Sequence, residues 1–238
     1  MTKSLGSLVM AILGSACAAS MVTAQTPLAQ FSKEAAGTFT PAGWQRWLAP
    51  GTVKLTRYKI VDVGGEHALR AISDGSASGL WRAADIDLQP KPILRWRWRA
   101  LELPAGADLK APAKEDAAAR ICFFFDGEPD RPAVEPSLPA VDSSVHFAHV
   151  LCYAWAAGAS VGDIVSNPSS PELRIMVLEG RILHHWRTEE RDIAADFAKA
   201  FGAQPARIVA IGLITDSDQV GGSASAYYGD IEARPHEK

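Results

Sequence analysis

Three arginines recur at two-residue spacing in Leu94-Arg95-Trp96-Arg97-Trp98-Arg99-Ala100. In an extended strand alternate side chains share a face, so Arg95, Arg97 and Arg99 stand together while Leu94, Trp96 and Trp98 turn the other way. Guanidinium groups held that close repel one another unless carboxylates or an anionic ligand lie among them. Asp116, Asp216, Asp218 and Asp230 are the carboxylates in reach of such a role, and Arg120 opens a second, apolar strand. Two arrangements meet the requirement. One is a structural ion-pair network on a solvated sheet face. The other is a groove for an acidic or hydroxylated glycan, with arginine forks on carboxylates and rings such as Tyr153 or Trp155 stacked on sugar faces. Arg95, Arg97, Arg99, Arg120, Asp116, Tyr153 and Trp155 are therefore the candidate ligand residues.

The run Asp216-Ser217-Asp218-Gln219-Val220-Gly221 begins like a calcium loop, with oxygens at alternate positions and a glycine at the turn. Val220 then supplies no side-chain oxygen, and Tyr227 stands where a helix-loop-helix site needs a bidentate glutamate, which excludes that motif. A looser calcium cage of Asp216, Asp218 and Asp230 is the remaining metal candidate. Its alternative is that these aspartates accept backbone hydrogen bonds in turns. Asp116, Arg120, Arg99, Asp216, Asp218 and Asp230 all lie beside or within runs expected to be buried or at points of resemblance described below. They are expected to form one connected polar cluster, because an isolated buried charge is costly. Nucleophile motifs are absent: Gly75-Ser76-Ala77-Ser78-Gly79 has alanine at the centre of what would be an elbow. Neither a phosphate loop nor a dinucleotide fingerprint occurs. His146 and His149, like His184 and His185, would point to opposite faces of a strand and make no metal site.

The elements that must position these residues read mainly as strands. Val53 to Val61 and Leu94 to Ala100 alternate with period two; 120–125, 148–155, 173–178 and 208–214 are apolar runs of strand length. Ala226 to Glu232 reads as a last strand. Turn-forming residues fill Asp62 to Glu66, Ser73 to Gly79 and the proline-rich stretch from Asp126 to Ser144, the last read as a surface excursion. One helix is expected near 192–201, with Asp192 as cap, Ile193, Phe197 and Phe201 at four-residue steps, and Gly202 as stop. Seven or more short strands and one short helix make an all-β protein, a β-sandwich of jelly-roll type.

Lys3 is the only charge before Lys33; an apolar run from Leu5 to Ala19 follows it and ends in Val22-Thr23-Ala24. That is the pattern of a secretory signal peptide, residues 1–24, leaving 25–238 as a single domain. The run is broken by glycine and serine and is shorter than the roughly 20 apolar residues of a membrane span. The processed protein is expected in the periplasm or the medium, with no stable membrane span. Export leaves Cys122 and Cys152 as an even pair in an oxidising compartment, either bridged or as two buried thiols. The 238 residues carry 24 Lys and Arg against 27 Asp and Glu, a net charge of −3, which gives no basic footprint for nucleic acid. With 47% hydrophobic residues and seven tryptophans the chain is no disordered tail.

From Leu94 onward the chain resembles a bacterial family known as the domain of unknown function 3047. The matching pieces are Trp96-Arg97-Trp98-Arg99, Glu115-Asp116 with Arg120, Tyr153-Ala154-Trp155, Asn167-Pro168, and Glu179-Gly180 before Trp186. The C-terminal third adds Arg191-Asp192, Asp196-Phe197, Phe201-Gly202, Thr215-Asp216-Ser217-Asp218 and Tyr228-Gly229-Asp230-Ile231. The resemblance implies a compact, β-rich exported domain and transfers no activity. The ends, with Phe31, Gly43-Trp44 and Gly229-Asp230-Ile231, are similar to the edges of carbohydrate-binding jelly-roll modules. In those modules an acidic residue on the final strand often helps to hold calcium. The expectation is a non-catalytic binding module of the cell envelope for a glycan or other polar polymer. The alternatives are a polysaccharide-acting enzyme using Asp116 or Asp216 as acid or base, and a structural envelope protein without a small ligand.

Overall fold

The computed structural model describes residues 26–48, 52–88, 92–126, 147–167, 170–205 and 207–235. The expected signal peptide and the stretch 127–144 lie outside them. The strands are β1 (Thr26–Ala29), β2 (Gln45–Trp47), β3 (Arg57–Asp62), β4 (His67–Asp74), β5 (Ala77–Asp87), β6 (Ile93–Glu102), β7 (Ala119–Phe125), β8 (His149–Trp155), β9 (Ile164–Asn167), β10 (Ser170–Glu179) and β11 (Arg187–Asp192). Helix α1 (Ile193–Phe201) follows, then β12 (Arg207–Asp216) and β13 (Ser223–Arg234). The first sheet has the order β11-β6-β13-β4-β3, with β1 added on β13; the second has the order β2-β5-β12-β7-β8-β10-β9. All pairs are antiparallel except β8 with β10. The expected all-β jelly-roll sandwich with one short helix is what the chain forms.

The alternation of β6 decides its orientation. Leu94, Trp96, Trp98 and Ala100 are buried between the sheets and the three arginines face out. Trp96 packs on Phe123 and Tyr153, and Trp98 on Trp155, so an aromatic layer fills the space between the sheets. Strands β7 and β8 show no such alternation because both their faces are covered. Ile121, Phe123, Leu151 and Tyr153 face the first sheet, while Cys122, Phe124, Val150 and Cys152 belong to a second apolar cluster on the outer side.

The helix is placed where the spacing put it. Asp192 accepts from the Ala195 N–H at 2.9 Å, and Gly202 closes the last turn in the left-handed region at φ 70°. Phe197 is buried against Phe125 at 4.5 Å.

Several expectations about elements are corrected. Residues 53–56 precede β3 rather than opening it, and Ser78 and Gly79 lie within β5, not in a turn. Strand β11, Arg-Thr-Glu-Glu-Arg-Asp, has no apolar period to reveal it. Its pairing with β6 sets Glu190 opposite Arg95 and Thr188 opposite Arg97, so charge complementarity replaces a hydrophobic pattern.

Candidate functional site

The outer face of the first sheet carries the arginine ladder. Arg95 is paired with Glu190 at 3.0 Å and Glu232 at 3.3 Å. Arg97 pairs with Glu66 on the β3–β4 turn, and Trp186 covers its guanidinium at 4.4 Å. To reach Glu66 the Arg97 side chain crosses β13 at Gly229, where an added Cβ would stand 2.5 Å from Arg97 Cγ. Arg99 is different. With Arg70 of β4 it flanks the ring of Tyr227, at 5.8 and 6.0 Å, and Tyr227 stacks on Trp186 with centroids 6.1 Å apart. Among the described residues no carboxylate lies within ion-pair distance of Arg70 or Arg99, and the Nε of each is buried without an acceptor. The ladder is therefore an ion-pair network at Arg95 and Arg97, with Arg99 unneutralised beside the half-buried rings of Tyr227 and Trp186.

Tyr153 and Trp155 are not part of this face, which corrects their candidacy as stacking rings. Odd-numbered residues of β8 point between the sheets, and both side chains are fully buried. Tyr153 donates its hydroxyl proton to Asp196 at 2.8 Å, and Trp155 donates its indole N–H to the Gly180 carbonyl at 2.7 Å. Trp186, Tyr227 and Arg70 take the place the sequence reading gave them. Tyr227 was legible as the outward member of the Tyr227-Tyr228 pair on a last strand. Trp186 lies just before β11 and Arg70 on β4, neither of which has a clean period.

The carboxylates gather elsewhere, at one end of the second sheet. Arg120 near the start of β7 lies opposite Ile214 of β12, so Asp216 at the end of β12 reaches it directly. Asp216 Oδ2 accepts from Arg120 at 3.1 Å and Oδ1 accepts from the Ala117 N–H at 2.9 Å. Arg120 also donates to the Glu115 carbonyl. Fully buried Asp116 accepts from the backbone N–H groups of Gln219 at 3.3 Å and Val220 at 2.8 Å, which fixes the loop after β12. Oxygens of Asp116, Asp216 and Asp218 lie within 4.8 Å of one another.

Burial pushes the Asp216 carboxyl up to about 6, with the neighbouring Asp116 charge adding to it and Arg120 opposing it. Asp218 is also raised, by burial first and then by the Asp116 charge. Beside this group lies a cavity of about 200 Å³ with the Cys122–Cys152 bridge and Phe124 on its lining, and Trp47, Ser78 and Gln219 around it. The bridge joins directly opposed residues of β7 and β8, whose Cα atoms are 4.0 Å apart. Of the two alternatives open for these cysteines, the bridge is the one that forms.

The expected six-residue cluster is correspondingly divided. Asp116, Arg120, Asp216 and Asp218 come together; Arg99 faces outward on the other sheet. Asp230 binds Ser32, accepting from its N–H at 2.9 Å and its hydroxyl at 2.5 Å, and so ties the N-terminal segment to β13. It joins no oxygen cage. The remaining three carboxylates fit calcium poorly. Both oxygens of Asp116 and of Asp216 already accept hydrogen bonds, and a guanidinium charge 3.1 Å from Asp216 would repel the ion. The arrangement suits a hydrogen-bonded ion cluster.

A two-sheet β-sandwich with a basic aromatic face and a separate carboxylate cavity is the class of protein this defines. The chain belongs to the family described as "Protein of unknown function (DUF3047)", which matches residues 42–232. No curated protein matches it in sequence. Among solved structures it is similar to the family 11 carbohydrate-binding module from Clostridium thermocellum, at 10% identity over 90% of this chain and 97% of that one, TM-score 0.44. It is also similar to endoglucanase 3 of family GH12 from Trichoderma harzianum, at 8% identity over 84% and 94%, TM-score 0.46. Endoglucanase cel12A from Rhodothermus marinus stands at 11% identity over 81% and 97%, TM-score 0.43.

Proposed function

We propose that the chain is an exported, non-catalytic binding module of the cell envelope that takes a glycan or another polar polymer on the outer face of its first sheet. One observation carries the reading: the partly exposed Trp186–Tyr227 stack stands beside Arg99 and Arg70, two cations without carboxylate partners among the described residues. The accessible parts of such rings supply faces for sugar C–H groups, and free guanidinium forks supply hydrogen bonds to hydroxyl or carboxylate oxygens. Export is supported by the leader-like N-terminus and by a disulfide of the kind that persists in oxidising compartments. Among the described residues no helix is long and apolar enough to cross a membrane.

The test is binding to a panel of neutral and acidic polysaccharides, with soluble products followed at the same time. Trp186→Ala and Tyr227→Ala should each weaken binding roughly tenfold and leave the fold intact, in line with the loss of one aromatic contact. Binding unchanged in both variants would refute the reading. A second reading has its own observation, since Asp216 with its carboxyl raised to about 6 lines a cavity and could serve as an acid or base. Product formed by the wild type and lost in Asp216→Asn, in the same assay, would favour that enzyme over a binding module.

A further inference from the structure

We infer that the polymer this face takes is polyanionic, a carboxylated glycan lying across the strands of the first sheet; this rests on the binding-module reading above. The argument begins with register. Lys59 of β3 is directly opposite Arg70 of β4, Arg70 is opposite Tyr227 of β13, and Tyr227 is opposite Arg99 of β6. All four point outward, since their neighbours Tyr58, Leu69, Tyr228 and Trp98 are buried in the core. Four consecutive strands thus present one row: cation, cation, ring, cation. With strands about 4.8 Å apart, the row from Lys59 to Arg99 spans roughly 14 Å.

Such a row is unfavourable by itself. Like charges directly opposite one another on neighbouring strands destabilise a sheet. The chain bears a net charge of −3 and has carboxylates to spare, and it places them on Arg95 and Arg97. Among the described residues none is within ion-pair distance of Lys59, Arg70 or Arg99. Lys59 lies over the exposed ring of Phe39 at 5.4 Å instead. Beyond Arg70 the row opens into a depression of about 470 Å³ whose lining includes Phe39, Arg46, Arg57, Lys59 and Ile72. A ligand end seated there would meet more cations over an apolar floor.

The chemistry of the row selects the ligand. A neutral sugar would use the Tyr227–Trp186 rings and leave three cations without counter-charge. A chain of uronic acids lying across the strands would place rings on the aromatic pair and carboxylates on Arg99, Arg70 and Lys59, where planar guanidinium groups match carboxylate geometry. A single-stranded nucleic acid also combines rings and anions, but an acidic exported chain is a poor match to it.

Calorimetric titration with oligomers of galacturonate, mannuronate and glucuronate, with their methyl esters and with a single-stranded oligonucleotide tests this. At least one acidic oligomer should bind, more weakly as salt is raised, and about tenfold tighter than its own methyl ester. Arg70→Gln and Arg99→Gln should each lose about tenfold for the acid and less for the ester, so that the margin between the two narrows. An ester that binds as tightly as its acid, or an oligonucleotide that binds as tightly as either, overturns the inference. Binding to neutral glycans alone overturns it and leaves the module reading standing. Binding to no glycan at all overturns it as well and removes the glycan half of the module reading. The acid–ester comparison uses the wild-type protein, so it stands even where a variant folds poorly.

Discussion

Asp216 is held between opposing influences, and their balance has a measurable sign. Burial raises its carboxyl from the ordinary 3.8 to about 6, although Arg120 lies 3.1 Å away. A carboxyl whose proton affinity is higher in the folded state favours folding at low pH, and that contribution is lost as pH rises through 6. A rise of that size corresponds to about 2 kcal/mol lost between pH 4 and pH 7. Asparagine resembles the protonated acid and has no such dependence. Urea denaturation of wild type and Asp216→Asn should therefore show the variant gaining about 2 kcal/mol on the wild type over that interval. If the variant loses ground as pH rises, the attraction of Arg120 outweighs desolvation and the account of the pair is wrong. The residue types of this cluster were legible in the sequence, and so was the need for a partner. Which partner was not: Asp230, equally acidic and equally placed within a strand, holds Ser32 instead.

At the scale of elements, β7 and β8 lie side by side in the middle of the second sheet. They are cross-linked by Cys122–Cys152, two residues 30 apart in sequence. Closing a loop of that length removes enough disorder from the unfolded chain to stabilise the fold by about 3 kcal/mol. The Cys122→Ala/Cys152→Ala double variant should be less stable by about that amount in chemical denaturation, with the sandwich retained. A change under about 0.5 kcal/mol would show that packing against Phe124 and Ile175 does the same work without the bond. The two apolar strands were plain in the sequence because both faces are buried. Their adjacency, on which the bridge depends, follows from the sheet order.

Over the whole molecule, the two sheets are joined at the carboxylate end by buried hydroxyl groups. Thr215 Oγ1 lies 2.8 Å from the Tyr228 hydroxyl and donates to the Ala118 carbonyl, while Thr56, Ser73, Ser76 and Ser217 form a further chain of contacts between 2.7 and 3.3 Å. These bonds satisfy polar groups in a buried interior and tie down Ser217, beside Asp218. The export proposed above rests on the first 24 residues of the sequence. Expressed from its first residue in a bacterium with a general secretory pathway, the protein should be recovered outside the cytoplasm with Gln25 as its N-terminal residue. Recovery of the intact chain from the cytosol would refute the export part of the proposal.

The class of architecture, the outward face of the β6 arginines, the capped helix after Asp192 and a cysteine in each of two apolar strands are all written in the local sequence. Each of these depends on residues close along the chain, where a period of two or of 3.6 fixes which side a residue faces. The tertiary structure decided what those faces meet. Period two sends Arg99 outward but leaves open whether its neighbour strand offers a carboxylate or a tyrosine. It separates Tyr153 from Cys152 without saying which of the two faces is the core. The row of Lys59, Arg70, Tyr227 and Arg99, and the meeting of Asp116 with Asp216, depend on strand order and register between segments far apart in sequence. Those are set by packing of both sheets at once, through contacts that no local stretch of the chain contains.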